Sequence, residues 1–357
     1  MISCNGAQAI FDKVLSGNRI TEGDALTLFE KVDIITLGSV ADSIRFRLHP
    51  EKIVTYIVDR NINYTNACVT LCKFCAFYRT VNDSEAYTLS KEELYEKIDE
   101  TIKLGGVQIL LQGGHHPHYK LDWYEDLLRF IKDNFKIHIH GFSPPEIDHF
   151  ARINKISLKE VISRLKEAGL DTIPGGGAEI LVDSVRNKIS PYKCTADDWL
   201  TVMRTAHKLG MKTTCTMVYG HVETFADRVE HLRRLRQLQD ETGGFTAFIA
   251  WSMQPKNTEL ANMPETCGFE YLRTLAISRM YLDNIPNIQS SWVTQGDKIG
   301  QMALRYGAND MGSTMLEENV VSAAGADFRL AETDIRHVIE ELDFTPKRRN
   351  CYYKILE

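Results

Sequence analysis

Two runs lie close together in this chain: Ile53-Val54-Thr55-Tyr56-Ile57-Val58-Asp59 and Cys68-Val69-Thr70-Leu71-Cys72-Lys73-Phe74-Cys75. The first is β-branched and aromatic and reads as a strand. Asn61, Asn63 and Asn66 crowd the connection between them, and such residues favour turns and local side-chain to backbone hydrogen bonds. The cysteines are therefore expected on a loop just past the C-terminal end of a strand. In an α/β barrel that edge carries the active site.

Working outward, strand and helix patterns alternate. Residues 7–49 read as helical, with a start at Thr21-Glu22-Gly23-Asp24 and a third helix over 37–48. A helix over 90–104, opened by a Ser90/Glu93 capping box, precedes a strand over 107–111. Helix 123–134, strand 137–142, helix 157–168, strand 171–173 and helix 196–209 follow. Then come strand 212–219, helix 225–241, strand 246–251, helix 270–283, strand 287–291, helix 295–306 and strand 308–312. About eight β/α units in this order suggest an α/β protein built as a parallel (β/α)8 TIM-type barrel. The expected organisation is an N-terminal helical extension over 1–50, a barrel over 51–325 and a C-terminal tail over 326–357. The tail, helical over 336–342 and basic at Pro346-Lys347-Arg348-Arg349, is expected to pack on the outside.

The 357 residues are 43% hydrophobic and 25% charged, which is ordinary for a globular enzyme. A net charge of -6 indicates no basic surface, so nucleic acid is not an expected partner. No apolar stretch approaches the roughly 20 residues of a membrane span. The start, Met1-Ile2-Ser3-Cys4-Asn5-Gly6, has neither a basic nor an apolar leader region. The eight cysteines suit a reducing cytoplasm better than a disulfide framework. Five of them, Cys4, Cys194, Cys215, Cys267 and Cys351, show no pairing pattern and read as reduced structural residues.

The other three are spaced C-x3-C-x2-C with no fourth cysteine nearby. A four-iron cluster has four iron corners, and this loop supplies thiolates for three. The fourth is left for a non-protein ligand, whereas a purely electron-transferring cluster normally closes all four. An open position is what separates catalytic from structural metal sites. Zinc with a His or Asp fourth ligand, and ordinary buried thiols, are the alternatives for spacing of this kind.

With Phe74 just before the last cysteine, the loop resembles that of the radical S-adenosyl-L-methionine (SAM) enzymes. The longer string Asn63-Tyr64-Thr65-Asn66 through Cys75-Ala76-Phe77-Tyr78-Arg79 resembles the branch that holds the menaquinone-pathway futalosine enzymes and the deazaflavin (FO) synthases. Within it the cyclase group is nearest, and the resemblance runs from about Ala25 to about Gly325. It implies a 4Fe-4S cluster on Cys68, Cys72 and Cys75, with SAM chelating the open iron. Gly113-Gly114, after the strand over 107–111, would receive the SAM amino group. Ser143 and Glu179 would contact its carboxylate and ribose, and Gly220, His221 and Glu223 would hold the adenosyl part. Phe74 belongs to the same cofactor set.

The resemblance also implies a reaction. An unidentified one-electron reductant would drive cleavage of SAM to a 5′-deoxyadenosyl radical. That radical would take hydrogen from C4′ of dehypoxanthine futalosine, and the substrate would close onto its benzoate ring. Tyr78, Arg79, His115, Trp251, Asp297, Glu317 and Glu318 are the candidate substrate contacts; no base is identified. His115, His116 and His118, and His138 with His140, resemble metal ligands but fit interior or surface histidines as well. The alternatives are an aminofutalosine synthase, a deazaflavin synthase component, or a non-catalytic iron–sulfur or zinc protein.

Overall fold

The computed structural model describes residues 5–356. Met1 to Cys4 and Glu357 lie outside the described residues, and with them the expectations for Cys4 and for the extreme N-terminus. Three helices lead in: α1 (Asn5–Leu15), α2 (Glu22–Lys31) and α3 (Ile34–Leu48). α2 opens on a capping box between Thr21 and Asp24, which satisfies two otherwise orphaned N–H groups. The barrel begins with β1 (Ile53–Ile57), β2 (Asp59–Asn63), α4 (Lys91–Lys103), β3 (Gln108–Gln112), α5 (Leu121–Asn134) and β4 (His138–Gly141). It continues through α6 (Pro144–Asn154), α7 (Leu158–Ala168), β5 (Thr172–Ile173), α8 (Asp183–Ile189), α9 (Ala196–Lys208), β6 (Lys212–Tyr219) and α10 (Phe225–Thr242). It ends with β7 (Phe245–Ser252), α11 (Gly268–Tyr281), β8 (Asn287–Gln289), α12 (Trp292–Gln295), α13 (Asp297–Ala303) and β9 (Asp310–Ser313). The tail holds α14 (Val320–Ala323), α15 (Glu332–Glu340) and β10 (Thr345–Arg348).

All the paired strands are parallel, in the order β10-β1-β9-β8-β7-β6-β5-β4-β3-β2. β1 and β2 are consecutive pieces of one run separated by Val58 alone. β1 pairs with β9 and β2 with β3, so the sheet closes into a ring of eight staves with β10 added beside β1. The expected barrel is present. β6 shows the consequence: its side chains alternate between fully buried and half-buried. Thr214, Thr216 and Val218 face an internal cavity, while Cys215, Met217 and Tyr219 are buried in the hydrophobic core between sheet and helices.

Several local readings change. Asn61 and Asn63 are not turn residues but the middle and end of β2. Residues 144–154 and 183–189, left without a helix in the sequence reading, form α6 and α8. Pro144 and Pro145 open α6, where a missing N–H costs nothing. The helix expected over 295–306 is broken at Gly296, which has φ +81°.

The tail also departs from an outside position. α15 covers the barrel, but the chain then turns beneath it. Arg349 is buried and donates to both oxygens of Asp310, at 2.5 and 2.8 Å. Thr55 donates to the same carboxylate at 2.5 Å, and the Tyr353 ring lies 3.9 Å from the guanidinium. Cys351 Sγ sits 3.3 Å from the Thr172 hydroxyl. These groups meet near the starts of β1, β5 and β9, so the tail floors the barrel. Removing one partner of a buried ion pair strands the other charge, at a cost of about 3–5 kcal/mol. Arg349→Met is therefore expected to lower the denaturation midpoint markedly, and Arg349→Met with Asp310→Asn to recover part of it. Chemical denaturation of the three proteins checks this.

Candidate active site at the barrel mouth

The cysteine loop is pinched at its base by Cys68 N–H to Arg79 O and Arg79 N–H to Asn66 O, both 2.9 Å. Its far side is tied by Lys73, whose N–H donates to Ile189 O at 2.8 Å and whose carbonyl accepts from Glu259 N–H at 3.0 Å. Leu71 takes φ +45° to complete the turn. The Thr70 hydroxyl stands 3.0 Å from Cys68 Sγ and 3.5 Å from Cys72 Sγ, and His115 N–H donates to Cys68 Sγ at 3.3 Å. Cys75 N–H bonds the Cys72 carbonyl at 3.0 Å. Cys68 and Cys72 thus share one hydroxyl, and Cys75 follows in the same turn.

Burial pushes the Cys72 thiol up to about 11 and raises that of Cys75, against the pull of the Lys193 charge. Such thiols become ligands only when a strongly cationic centre displaces their protons. Among the described residues, no three His, Cys, Asp or Glu side chains form a group able to hold a single metal ion.

Glu146, at the start of α6, organises the adjoining turn. One of its carboxylate oxygens accepts from Tyr64 OH at 2.7 Å and Gly113 N–H at 3.1 Å. The other accepts from Ser143 N–H at 2.7 Å and Ser143 Oγ–H at 2.6 Å. Burial raises the Glu146 carboxyl, and these donors oppose the shift. Nothing in the sequence reading singled Glu146 out. It also occupies the hydroxyl of Ser143, the expected carboxylate contact.

The glycines of this turn are needed for internal packing. A Cβ on Gly113 would meet the Tyr64 ring at 2.6 Å, and one on Gly114 the Ala67 carbonyl at 2.3 Å. Their role is thus close packing inside the protein, where close approach of a ligand was expected. The N–H groups of Gly113, Gly114 and His115 all have protein acceptors. Among the described residues no hydrogen-bond donor reaches the Gly113 or Gly114 carbonyl.

Glu179 is fully buried with φ +41°, a strained backbone for a residue with a side chain. Lys193, absent from the expected set, donates to its Oε1 at 2.6 Å and lies 5.3 Å from the Phe74 ring centre. The second oxygen, Oε2, is buried without a hydrogen bond, with Arg186 3.9 Å away. An open acceptor there suits a ribose hydroxyl.

The Gly220–Glu223 turn is closed on itself. Glu223 accepts from Gly220 N–H at 2.7 Å and His221 N–H at 2.9 Å, and pairs with Arg228 at 2.8 Å. Burial favours its neutral form, but His221 and Arg228 hold the carboxyl well below its ordinary value. Both ring nitrogens of His221 are occupied, Nε2 by Val218 O at 3.0 Å and Nδ1 by the Val222 N–H at 2.8 Å, with Glu223 2.9 Å from Nδ1.

Inside the barrel lies a cavity of about 320 Å3. Of the expected contacts, Phe74, Trp251 and Glu318 line it; the others do not. Glu318 is engaged, accepting the N–H groups of Val320, Val321 and Ser322 at 2.8 to 2.9 Å. Glu317 is held by Lys97 at 2.8 Å, and Arg79 by Glu85 at 2.7 Å. Asp297 starts α13 and is exposed. Tyr78 is half-buried outside the cavity, and His115 packs its ring on His149. Asp59, Asn61, Gln108, His140 and Arg349 do line the cavity. His140 takes the interior position that was one of its expected places, while the other four had no site role in the sequence reading, because inward-facing polar residues look like turn, cap or surface residues until the ring is closed.

Comparison with known proteins follows the same lines. Residues 62–235 match the radical SAM superfamily and residues 242–357 the CofH/MqnC C-terminal region. The chain is 46% identical over 348 residues to a protein of Halalkalibacterium halodurans named cyclic dehypoxanthine futalosine synthase, spanning 97% of this chain and 94% of that one. It is 42% identical to the 5-amino-6-(D-ribitylamino)uracil–L-tyrosine 4-hydroxyphenyl transferase of Methanococcoides burtonii, over 94% and 95% of the two chains. It is 39% identical to the aminodeoxyfutalosine synthase of Thermus thermophilus, over 97% and 94%. Among solved structures, methylornithine synthase (PylB) superposes with a TM-score of 0.74 at 19% identity, over 95% of this chain and 97% of that one, which shows the shared fold.

Glu146→Ala removes the acceptor for four donors around the mouth. The stranded Tyr64 and Gly113 groups are expected to cost about 1–3 kcal/mol each. Tyr64→Phe, which deletes a single bond, is expected to cost about 1 kcal/mol. Denaturation midpoints of the two variants measure the difference.

Proposed function

This chain belongs to the radical SAM superfamily, within the group that carries the CofH/MqnC C-terminal region, and from that premise we propose that it converts dehypoxanthine futalosine to its cyclic form. The observation that carries this reading is the full-length likeness to the cyclic dehypoxanthine futalosine synthase of Halalkalibacterium halodurans, which exceeds that to the two sister enzymes. The family implies a 4Fe-4S cluster and SAM. On our reading Cys68, Cys72 and Cys75 hold the cluster, the Gly113 and Gly114 carbonyls receive the amino group of SAM, and Glu179 Oε2 receives a ribose hydroxyl. When bound, the cluster and SAM supply a 5′-deoxyadenosyl radical, the agent that takes hydrogen from an unactivated carbon.

The chain's own residues do the rest. Lys193 neutralises Glu179 and fixes it beside Phe74. The tail seals the floor, and the 314–325 segment, held by Glu318 through the first turn of α14, borders the cavity. A reaction begun at the mouth thus proceeds in a space closed from below, which limits quenching by water. No helix among the described residues is long and apolar enough to cross a membrane. The need for reduced thiols supports a cytoplasmic setting, and a one-electron reductant is a required partner.

The test is an anaerobic assay of cluster-reconstituted protein with SAM, dithionite and dehypoxanthine futalosine, read by mass spectrometry. A product two hydrogens lighter than substrate, formed with 5′-deoxyadenosine, supports the cyclase. Deoxyadenosine without that product moves the substrate to a sister enzyme. Cys72→Ala is expected to lose most bound iron and all deoxyadenosine formation; an iron content equal to the parent's would remove Cys72 from the ligand set.

A further inference from the structure

The cavity has two chemically different walls. β2 and β3 run in register, with Asp59 opposite Gln108 and Asn61 opposite Leu110. Residues two apart on a strand share a face, so Asp59 and Asn61 look the same way, into the cavity. Four staves round the ring, β6 and β7 stand opposite β2 and β3. They present Thr214, Thr216, Val218, Ile249 and Trp251 to the same space; the two threonine hydroxyls are bonded to Gly175, which leaves Val218, Ile249 and Trp251 as the apolar part.

Asp59 is fully buried, which raises its carboxyl, and its hydrogen-bond donors and the Arg349 charge oppose the shift. One of its oxygens accepts from the Ser313 hydroxyl and the other from Gln108 Nε2, the latter at 2.6 Å. The Gln108 amide thus stands with its nitrogen toward Asp59 and its oxygen away. That oxygen, Gln108 Oε1, is buried with no donor, and so is Asn61 Oδ1. Asp310, the acid nearer the floor, is by contrast taken up by Arg349 and Thr55. A buried acceptor left unpaired is destabilising, and two such acceptors stand beside the Asp59 carboxyl.

We propose that Asp59, Asn61 and Gln108 form a subsite for the hydroxyl groups of a polyol, and that the aromatic part of the same ligand lies across the cavity on Val218, Ile249 and Trp251. Naming that polyol as the sugar-like ring of dehypoxanthine futalosine rests on the function proposed above; the subsite itself rests on the open acceptors. Its orientation sets the sugar and the arene on opposite walls, facing one another beneath Phe74.

The experiment is calorimetric titration of unreduced, SAM-loaded, cluster-reconstituted protein, in which nothing turns over. The ligands are dehypoxanthine futalosine and an analogue with its ring hydroxyls replaced by hydrogen. The native protein is expected to bind the analogue at least about tenfold more weakly. Asn61→Leu and Gln108→Leu are expected to weaken binding of the parent compound by about tenfold and to shrink the gap between the two ligands. Cluster absorbance and substrate-free deoxyadenosine formation on later reduction should be unchanged. Equal affinity of the native protein for both ligands overturns the subsite and leaves bound water as the partner of these oxygens; that arm needs no variant. If the native protein binds no futalosine, the same titrations use 5-amino-6-(D-ribitylamino)uracil and an analogue lacking its ribityl hydroxyls. Binding sensitive to those hydroxyls and to Asn61 and Gln108 then supports the subsite while the cyclase reading falls. Indifference to both overturns the subsite as well.

Discussion

The chain from Ile53 to Asn63 serves two neighbours at once, and the molecule depends on that sharing. The carbonyls of Ile57 and Asp59 accept from Thr314 and Leu316 N–H at 2.9 and 3.1 Å, while the Val58 carbonyl between them accepts from Val107 N–H at 3.1 Å. Alternate peptide groups thus bond to the last stave and to the second. A run that pairs on both sides leaves no free edge in the ring. It also settles which residues face inward, because a one-residue slip would turn every side chain over. With the register as it stands, Asp59 and Asn61 point into the lumen and Ile62 into the surrounding core. The cysteine loop leaves from the end of this same run, so the site inherits its position from the closure.

The polar groups inside the barrel are arranged in tiers. At the floor, Arg349, Asp310 and Thr55 satisfy one another, and Thr172 gathers His138, His140 and Cys351. Burial lowers His140 to about 3, so it stays neutral and the Thr172 cluster adds no charge. At the mouth, Glu146 and Glu223 each collect backbone and side-chain donors and lock the turns that frame the site. Both tiers are rigid because each member has its partner.

How much of this was visible in the chain depended on the range of the interactions. Helix starts set by local chemistry were legible: Ser90 with Glu93 closes the expected capping box, and β6 spans the expected 212–219. The cysteine loop was legible because its three ligands lie within eight consecutive residues. Asn61 was misread because asparagine is a turn former by local propensity, and only pairing with β3 holds it extended. Arg349 was misread because its partner, Asp310, is a strand away in space and 39 residues away in sequence. Lys193 carried no signal at all, since a lysine is ordinarily exposed and its burial follows from Glu179 and Phe74 being brought to it. Residues whose role is set by a distant partner are the ones local patterns cannot reach.

Between the two satisfied tiers lies the one that is not. Asn61 Oδ1, Gln108 Oε1 and Glu179 Oε2 are buried without donors; the first two side chains line the cavity, and Glu179 follows the Gly175–Gly177 turn that does. A protein that supplies four donors to Glu146 has no general shortage of them. Other unpaired oxygens, such as those of Asp42 and Asn284, lie elsewhere, but Asn61 and Gln108 are neighbours on the cavity wall, across from Val218, Ile249 and Trp251. Glu179 and Gln108 have a second duty, holding Lys193 and Asp59, but no hydrogen bond of the folded protein uses the Asn61 oxygen, so its polarity is not explained by folding. It is explained by a ligand rich in hydroxyl groups on one side and flat and apolar on the other, which brings the missing donors with it. On this argument the free energy withheld from the fold is recovered as selectivity, because a molecule of the same shape without those hydroxyls leaves the oxygens unpaired.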